Sequence, residues 1–208
     1  MFLKRGFDFL LSLLALLVLL PLFLVVGLII KISMPGPVFF RQKRIGLGAK
    51  PFYIYKFRSM LVNRDNISIT LEGDRRITPF GKFLRRSKID ELPQLWNILK
   101  GDMSFVGHRP DVPGYADQLK GEDRILLKFR PGLTGPDSLA YPEEETLLAQ
   151  KPDPGRYYDE VLYPEKVRIN REYFQNHSFL KDLKILWKTA LWVFTRKNLK
   201  SRRINDSG

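Results

Sequence analysis

The feature that most constrains this chain is its apolar start. From Phe7 to Ile30 it reads FDFLLSLLALLVLLPLFLVVGLII, 24 positions in which Asp8 is the only charge and Ser12 the only other strongly polar side chain. At about 1.5 Å per helical residue the run extends about 36 Å, enough for a hydrocarbon core about 30 Å thick. A signal peptide has an apolar region of about 7–15 residues and a small-residue cleavage site. This run is longer and has no A-x-A-like exit, so it reads as a membrane helix.

Two features bear on whether the helix spans or re-enters. Lys4 and Arg5 precede the run while Lys31, Arg41, Lys43 and Arg44 follow it. Both flanks therefore meet the positive-inside tendency, and neither is marked as external. Pro21 lies inside the run, removes a backbone donor and predicts a kink. A bent helix that enters and leaves by the cytoplasmic face reconciles the two observations, although membrane helices that cross straight through also tolerate proline.

The 208 residues leave room for one ordinary globular domain with an appendage. Lys and Arg total 35 against 22 Asp and Glu, a formal charge of +13 that calls for an anionic partner: nucleic acid, phospholipid or a phosphorylated substrate. The absence of Cys excludes disulfides, zinc–thiolate and iron–sulfur sites and a cysteine nucleophile.

Beyond the Pro- and Gly-containing exit 31–37, the runs VFFRQ (Val38–Gln42) and PFYIYKF (Pro51–Phe57) read as a hairpin turning at Gly46 and Gly48. The GLG there lacks the third glycine and following helix of a dinucleotide fingerprint, and no P-loop pattern occurs. Thr78-Pro79 reads as an N-cap followed by Pro at the first helical position, opening a basic helix through Arg86. Asp90 reads as the cap of a second helix with Leu92, Leu95, Trp96 and Leu99 on its buried side and Gly101 after its end. MSFVG predicts a short apolar strand. Residues 131–155 read as a loop region with one short helix near Glu143–Gln150, followed by helices over Tyr157–Phe174 and Phe179–Phe194. The last carries Phe179, Leu180, Leu183, Leu186, Trp187, Ala190, Leu191 and Phe194 on one broad face and Lys181, Lys184 and Lys188 opposite, a pattern that suits a core helix and a membrane-surface helix equally. The polar end from Lys197 is expected to fray.

Asp90-Glu91 is the most suggestive carboxylate pair. At a helix N-terminus such a pair is favoured in its ionised form and serves as nucleophile or metal ligand, although most such pairs are simple caps. Its company shifts that balance. Arg75, Arg76, Lys82, Arg85, Arg86 and Lys88 lie upstream, Lys56 and Arg58 flank the end of the hairpin, and GHRP supplies Arg109. Carboxylates among Arg and Lys suit joint binding of Mg²⁺ and phosphates. The same charges also suit a solvated face or anionic lipid headgroups. His108 and His177 are 69 residues apart and carry neither a metal-ligand spacing nor triad partners.

The strings YKFRSM (Tyr55–Met60), GKFLRRSKIDELPQLWNILKGDMSFVGHRP (Gly81–Pro110), RPGLTG (Arg130–Gly135) and REYFQNHSFLKDLKILWKT (Arg171–Thr189) resemble, in order and spacing, the bacterial sugar transferases, the monotopic phosphoglycosyl transferases. The resemblance implies an α+β fold: a re-entrant membrane helix over 1–33, a cytoplasmic transferase domain over 34–196 with a short hairpin and amphipathic interfacial helices, and a basic and polar tail over 197–208. It implies an enzyme at the cytoplasmic face of the bacterial inner membrane that moves a sugar-1-phosphate from a UDP-sugar to undecaprenyl phosphate, releasing UMP and starting glycoconjugate assembly. By the same resemblance Asp90 is the nucleophile, and Asp90 and Glu91 hold Mg²⁺. Lys56 and Arg109 contact phosphates, with Arg85 as a further candidate. The family's helix break is a Ser-Pro pair; here Leu20-Pro21 stands in its place. GHRP replaces the commoner GPRP, and GPDSLAYPEEE stands where many members carry GLAQVNGR, so the donor sugar is not carried over.

A second class of reading is a membrane-anchored basic protein that docks anionic lipid or nucleic acid without catalysis. It finds no nucleic-acid motif or basic-aromatic module in the chain, and nucleic acid is not an expected partner. Anionic membrane lipids are, and an oligomer is compatible with the sequence.

Overall fold

The computed structural model describes residues 2–61 and 76–205; Arg75 of the basic cluster lies outside them. Helix α1 (Phe2–Ser33) contains Pro21, with helical backbone continuing on both sides. Its outward stripe of Leu10, Leu14, Leu17, Val18, Leu24 and Leu28 is exposed, and its buried residues are Asp8, Ser12, Val26 and Ile30.

Strands β1 (Phe39–Ile45) and β2 (Pro51–Phe57) form the expected antiparallel hairpin, with Phe39 opposite Phe57 and Ile45 opposite Pro51. At its turn the Gly46 N–H donates to the Lys50 carbonyl, and Gly48 takes φ +65, a left-handed backbone that glycine adopts without strain. β1 runs three residues beyond Gln42, because that turn sets the ladder and the basic residues of an exposed strand carry no apolar signal. Thr78 caps α2 (Pro79–Ser87) as its sequence predicts, its Oγ1 accepting from the Gly81 N–H at 3.0 Å. A 3₁₀ turn (Ile89–Glu91) leads to α3 (Gln94–Lys100), which ends at Gly101 with φ +93.

The structure departs from the sequence reading at two places around α3. Asp90 is not the cap of α3: it lies inside the 3₁₀ turn, and Pro93 occupies the cap position with no side-chain hydrogen bond. Trp96 does not face the core. It is 50% exposed while Asn97, next to it, is fully buried, because α3 starts three residues later than a helix capped at Asp90 would.

Strand β3 (Ser104–Val106) pairs in parallel with β4 (Gly132–Thr134), and α4 (Pro136–Ala140) follows. β4 and α4 stand in the segment expected as loop; three-residue strands of Gly and Thr show no periodicity. The pairing depends on bare backbone: a Cβ on Gly107 would collide with the Arg130 carbonyl, and one on Gly135 with the Gly107 carbonyl. The expected short helix is α5 (Glu144–Ala149). Then α6 (Pro154–Tyr157), a π-helical turn (Tyr158–Leu162) and α7 (Tyr163–Gln175) run on as one helical stretch. α8 (Phe179–Asn205) extends past Phe194, so most of the segment from Lys197 is helical backbone.

Helix α1 lies lengthwise on two cores. Leu11, Ala15, Leu16 and Leu19 pack against Ile54, Leu95, Ile98, Met103, Phe105 and Val106. Val26, Ile30 and Met34 form the second core with Phe57 and Leu84. Both ends of α1 are also tied by polar contacts. Lys4 Nζ donates to the Val106 carbonyl at 2.9 Å and to Asp182 Oδ2 at 2.7 Å. Arg5 donates to the last carbonyls of α3, Ile98 and Leu99, and the Phe105 N–H donates to Asp8 Oδ1. At the far end the buried Arg58 donates to the Met34 and Pro35 carbonyls, satisfying acceptors that a helix C-terminus leaves open. A helix about 48 Å long, at 1.5 Å per residue, thus starts and finishes on one body.

Candidate active site

Three local devices bring the sequence-predicted residues together. Lys88 takes a left-handed backbone with φ +59, which ends α2 and swings the Ile89–Glu91 turn across its end. For a residue with a Cβ this conformation costs about 1 kcal/mol and persists where packing enforces it. Asn97, fully buried on α3, accepts from the Tyr55 N–H at 3.1 Å and donates to the Tyr53 carbonyl at 2.7 Å. It fastens β2 to α3 and so sets Lys56 beside the turn. The β3–β4 ladder carries Arg109, whose backbone N–H donates to the buried Asp137 on α4 at 3.2 Å.

The result is a closed charge cluster. Lys56 Nζ lies 2.8 Å from Glu91 Oε1, and an Arg109 guanidinium nitrogen lies 3.1 Å from the same oxygen. Burial raises the Glu91 pKa, but the Lys56 and Arg109 charges outweigh it and hold the carboxyl well below its ordinary range. Burial pushes Lys56 down, with Glu91 opposing, and Glu91 pushes Arg109 up. Asp90 behaves differently. It is buried, its Oδ1 has no hydrogen-bond partner, and burial together with Glu91 pushes its carboxyl above the usual range.

Glu91 and Arg109 line a cavity of about 880 Å³ with Lys82, Arg85, Lys88 and Lys166. Arg85 reaches it, but its guanidinium is paired with Glu145 at 2.5 Å rather than with the dyad. Arg58 leaves the group altogether for the end of α1. Sequence reasoning missed Glu144, Glu145 and Lys166: Glu144 pairs with the buried Lys166 at 2.8 Å, and all three line the cavity. The acidic triplet at 143–145 was a visible signal; Lys166, in a helix of mixed polarity, offered none. His108 is buried without a partner for either ring nitrogen, and burial lowers its pKa to about 4, so it is neutral. His177 lies 3.0 Å from Asp182 in the cluster that holds Lys4.

Among the described residues no three His, Cys, Asp or Glu side chains gather as a metal cage. Magnesium does not require one: it binds through one or two carboxylates and keeps water and phosphate ligands. The unpartnered, buried Asp90 oxygen beside Glu91 fits that donor set.

Fold and site together define a class: a small α+β domain packed along one long apolar helix, with a carboxylate pair whose Glu91 lines a cavity and whose Asp90 lies buried behind the lining. The chain belongs to the bacterial sugar transferase family, whose model matches residues 1–196. It is similar to the UDP-N-acetylgalactosamine-undecaprenyl-phosphate N-acetylgalactosaminephosphotransferase of Aeromonas hydrophila, 36% identical over 199 residues that cover 93% of this chain and 44% of that one. It is 36% identical over 200 residues to the UDP-glucose:undecaprenyl-phosphate glucose-1-phosphate transferase of Escherichia coli K12, covering 94% of this chain and 41% of that one. It therefore spans about two fifths of those relatives. Against the exopolysaccharide production protein PSS of Rhizobium leguminosarum bv. phaseoli the identity is 38% over 203 residues, covering 93% and 96%.

Proposed function

We propose that this chain transfers a sugar-1-phosphate from a UDP-sugar to undecaprenyl phosphate at the cytoplasmic face of the bacterial inner membrane, through a covalent intermediate on Asp90. The observation that carries the reading is the asymmetry of the dyad: Glu91 Oε1 takes both Lys56 and Arg109, while Asp90 keeps a buried oxygen with no partner. A carboxylate oxygen without a hydrogen bond is the better nucleophile, and its neighbour keeps the two cations in place.

In the first step an Asp90 carboxylate oxygen attacks the β-phosphorus, the bond to the bridging oxygen breaks, and UMP departs with that electron pair. In the second, an oxygen of undecaprenyl phosphate attacks the same phosphorus and Asp90 leaves as a carboxylate, giving the lipid diphosphosugar. Splitting the transfer spares the site from aligning two bulky anions at once. Lys56 and Arg109, poised on Glu91, share their donors with the phosphate oxygens as charge develops. Asp90 and Glu91 would hold Mg²⁺, which would supply further neutralisation of the diphosphate. The cations nearest the dyad turn inward onto Glu91, which speaks for this reading over a nucleic-acid or lipid-binding surface.

The membrane placement rests on α1. Both its ends are fastened to one body while its outward stripe is apolar, which supports entry and exit on the same side. Detergent-solubilised protein given UDP-sugars, Mg²⁺ and undecaprenyl phosphate is expected to release UMP, and intact mass spectrometry after donor alone to show a phosphosugar adduct that Asp90→Asn lacks. No UMP from any common UDP-sugar overturns the transfer; UMP release without an adduct overturns the covalent route.

A further inference from the structure

The cavity beside the dyad has a second wall of opposite chemistry. Leu186, Ala190 and Val193 of α8 line it, with Phe105 and Leu133 behind them. Nothing in a nucleotide sugar except the base faces matches such a wall.

The same helix turns an apolar face outward. Leu180, Leu183, Trp187 and Leu191 are exposed. At 3.6 residues per turn they lie about 100° round α8 from the cavity residues, so the two faces share an edge, while Lys181, Lys184 and Lys188 occupy the far side. α8 also flanks α1: Ile185 and Leu186 enter the core that takes Leu11, Ala15, Leu16 and Leu19. The outward apolar face of α8 thus adjoins the cavity wall along the helix's own edge, which gives a hydrocarbon chain an apolar way round α8 to Leu186, Ala190 and Val193. The wall is held in register with the catalytic ladder, because the Thr189 and Thr134 hydroxyls hydrogen-bond at 2.8 Å between α8 and β4.

A cavity with cations at one pole and an apolar wall that runs out to a lipid-facing helix complements an amphiphile with an anionic head. We propose that Leu186, Ala190 and Val193 seat the first isoprene units of the polyprenyl phosphate acceptor, which reaches Asp90 along α8 with its phosphate among the cations of the opposite wall. The inference rests on the transfer reading above and adds the acceptor's route and subsite.

The test uses the full-length protein in phosphatidylethanolamine–phosphatidylglycerol nanodiscs and a polyprenyl phosphate bearing a diazirine in its first isoprene units. Photolabelling is expected within residues 186–193 and is suppressed by excess undecaprenyl phosphate. Ala190→Trp, which fills the wall, is expected to raise the acceptor KM at least tenfold. Labelling confined to other segments, or a wall labelled equally by a diazirine phosphatidylglycerol and not protected by undecaprenyl phosphate, overturns the proposal. An unchanged acceptor KM in a folded Ala190→Trp also overturns it, and labelling of the wild-type protein decides if that variant does not fold. The donor-alone adduct on wild-type protein reports the transfer reading separately, so the two fail independently.

Discussion

Two carboxylate clusters anchor opposite parts of this molecule, and they differ in one respect. At the rear, Asp182 is almost wholly buried and its two oxygens are fully used: Lys4 donates at 2.7 Å, the Tyr173 hydroxyl at 2.6 Å, and His177 lies at 3.0 Å. That cluster pins the start of α1 to the junction of α7 and α8. At the front, Glu91 Oε1 takes both Lys56 and Arg109, and Asp90 beside it is buried with its Oδ1 unmet. A buried polar group left without a partner costs about 1–3 kcal/mol, a cost that Asp90 shares with Asp137 Oδ1 and the His108 ring nitrogens. What sets Asp90 apart is its place beside Glu91 and the Lys56 and Arg109 cations.

Four experiments break or sharpen that contrast. The largest expected effect is Asp90→Asn: sugar-phosphate transfer falls at least about a thousandfold, as for loss of a covalent nucleophile, while the melting temperature holds or rises because a like-charge contact with Glu91 is relieved. A stability loss there would place Asp90 with the pins. Asp182→Ala should do the reverse. It leaves the Tyr173 hydroxyl without its acceptor and Lys4 with the Val106 carbonyl but no counter-charge, and lowers unfolding free energy by about 3–5 kcal/mol, read by thermal melts in detergent, with far less change in activity per folded molecule.

The third test uses acid. His108 has a folded-state pKa near 4 against an ordinary 6.5, so below pH 6.5 the unfolded chain binds a proton that the native site refuses. Its contribution is intact above pH 6.5 and is lost progressively toward pH 4, about 3 kcal/mol in all. Asp111, pushed up to about 7 by burial, has the opposite sign: its cost to stability grows as pH rises from 3.8 to 7. The melting temperature of wild type minus that of His108→Gln isolates the histidine; the gap should move against the wild type between pH 7 and pH 4, and a constant gap would mean that His108 keeps its ordinary pKa in the fold. The smallest effect is Glu145→Gln. Its pair with Arg85 is half exposed on the glutamate side and worth less than about 1 kcal/mol, but freeing Arg85 should lower the donor KM by about threefold. An unchanged KM removes Arg85 from the phosphate-binding set.

Much of the frame was legible in the chain. The apolar helix, the hairpin, the Thr78 cap and the Gly101 stop are local signals, each written within a few residues, and each is present, with β1 running on to Ile45. Lys56, Glu91 and Arg109 were also singled out, and the structure brings both cations within 3.1 Å of Glu91 through Asn97 and the β3–β4 ladder. Two misreadings have different causes. Asp90 looked like a helix cap because Asp-Glu before an apolar run is the usual cap pattern, yet the left-handed Lys88 and Pro93 shift the helix start to Gln94. The parallel β3–β4 pair was invisible because it joins segments 28 residues apart through glycines that carry no pattern.

By itself, then, the sequence determined where an apolar helix begins, which carboxylates adjoin and which cations surround them, since periodicity and adjacency are properties of the chain. Tertiary structure decided which charges are satisfied. Lys56 and Arg109 reach Glu91 from 35 and 18 positions away, while among the described residues Asp90 Oδ1 is left without a hydrogen-bond partner. It also decided that both ends of α1 rest on one body and that α8 turns one apolar face to the cavity and another outward. Burial and partnership arise from residues remote in sequence, and only packing brings them together.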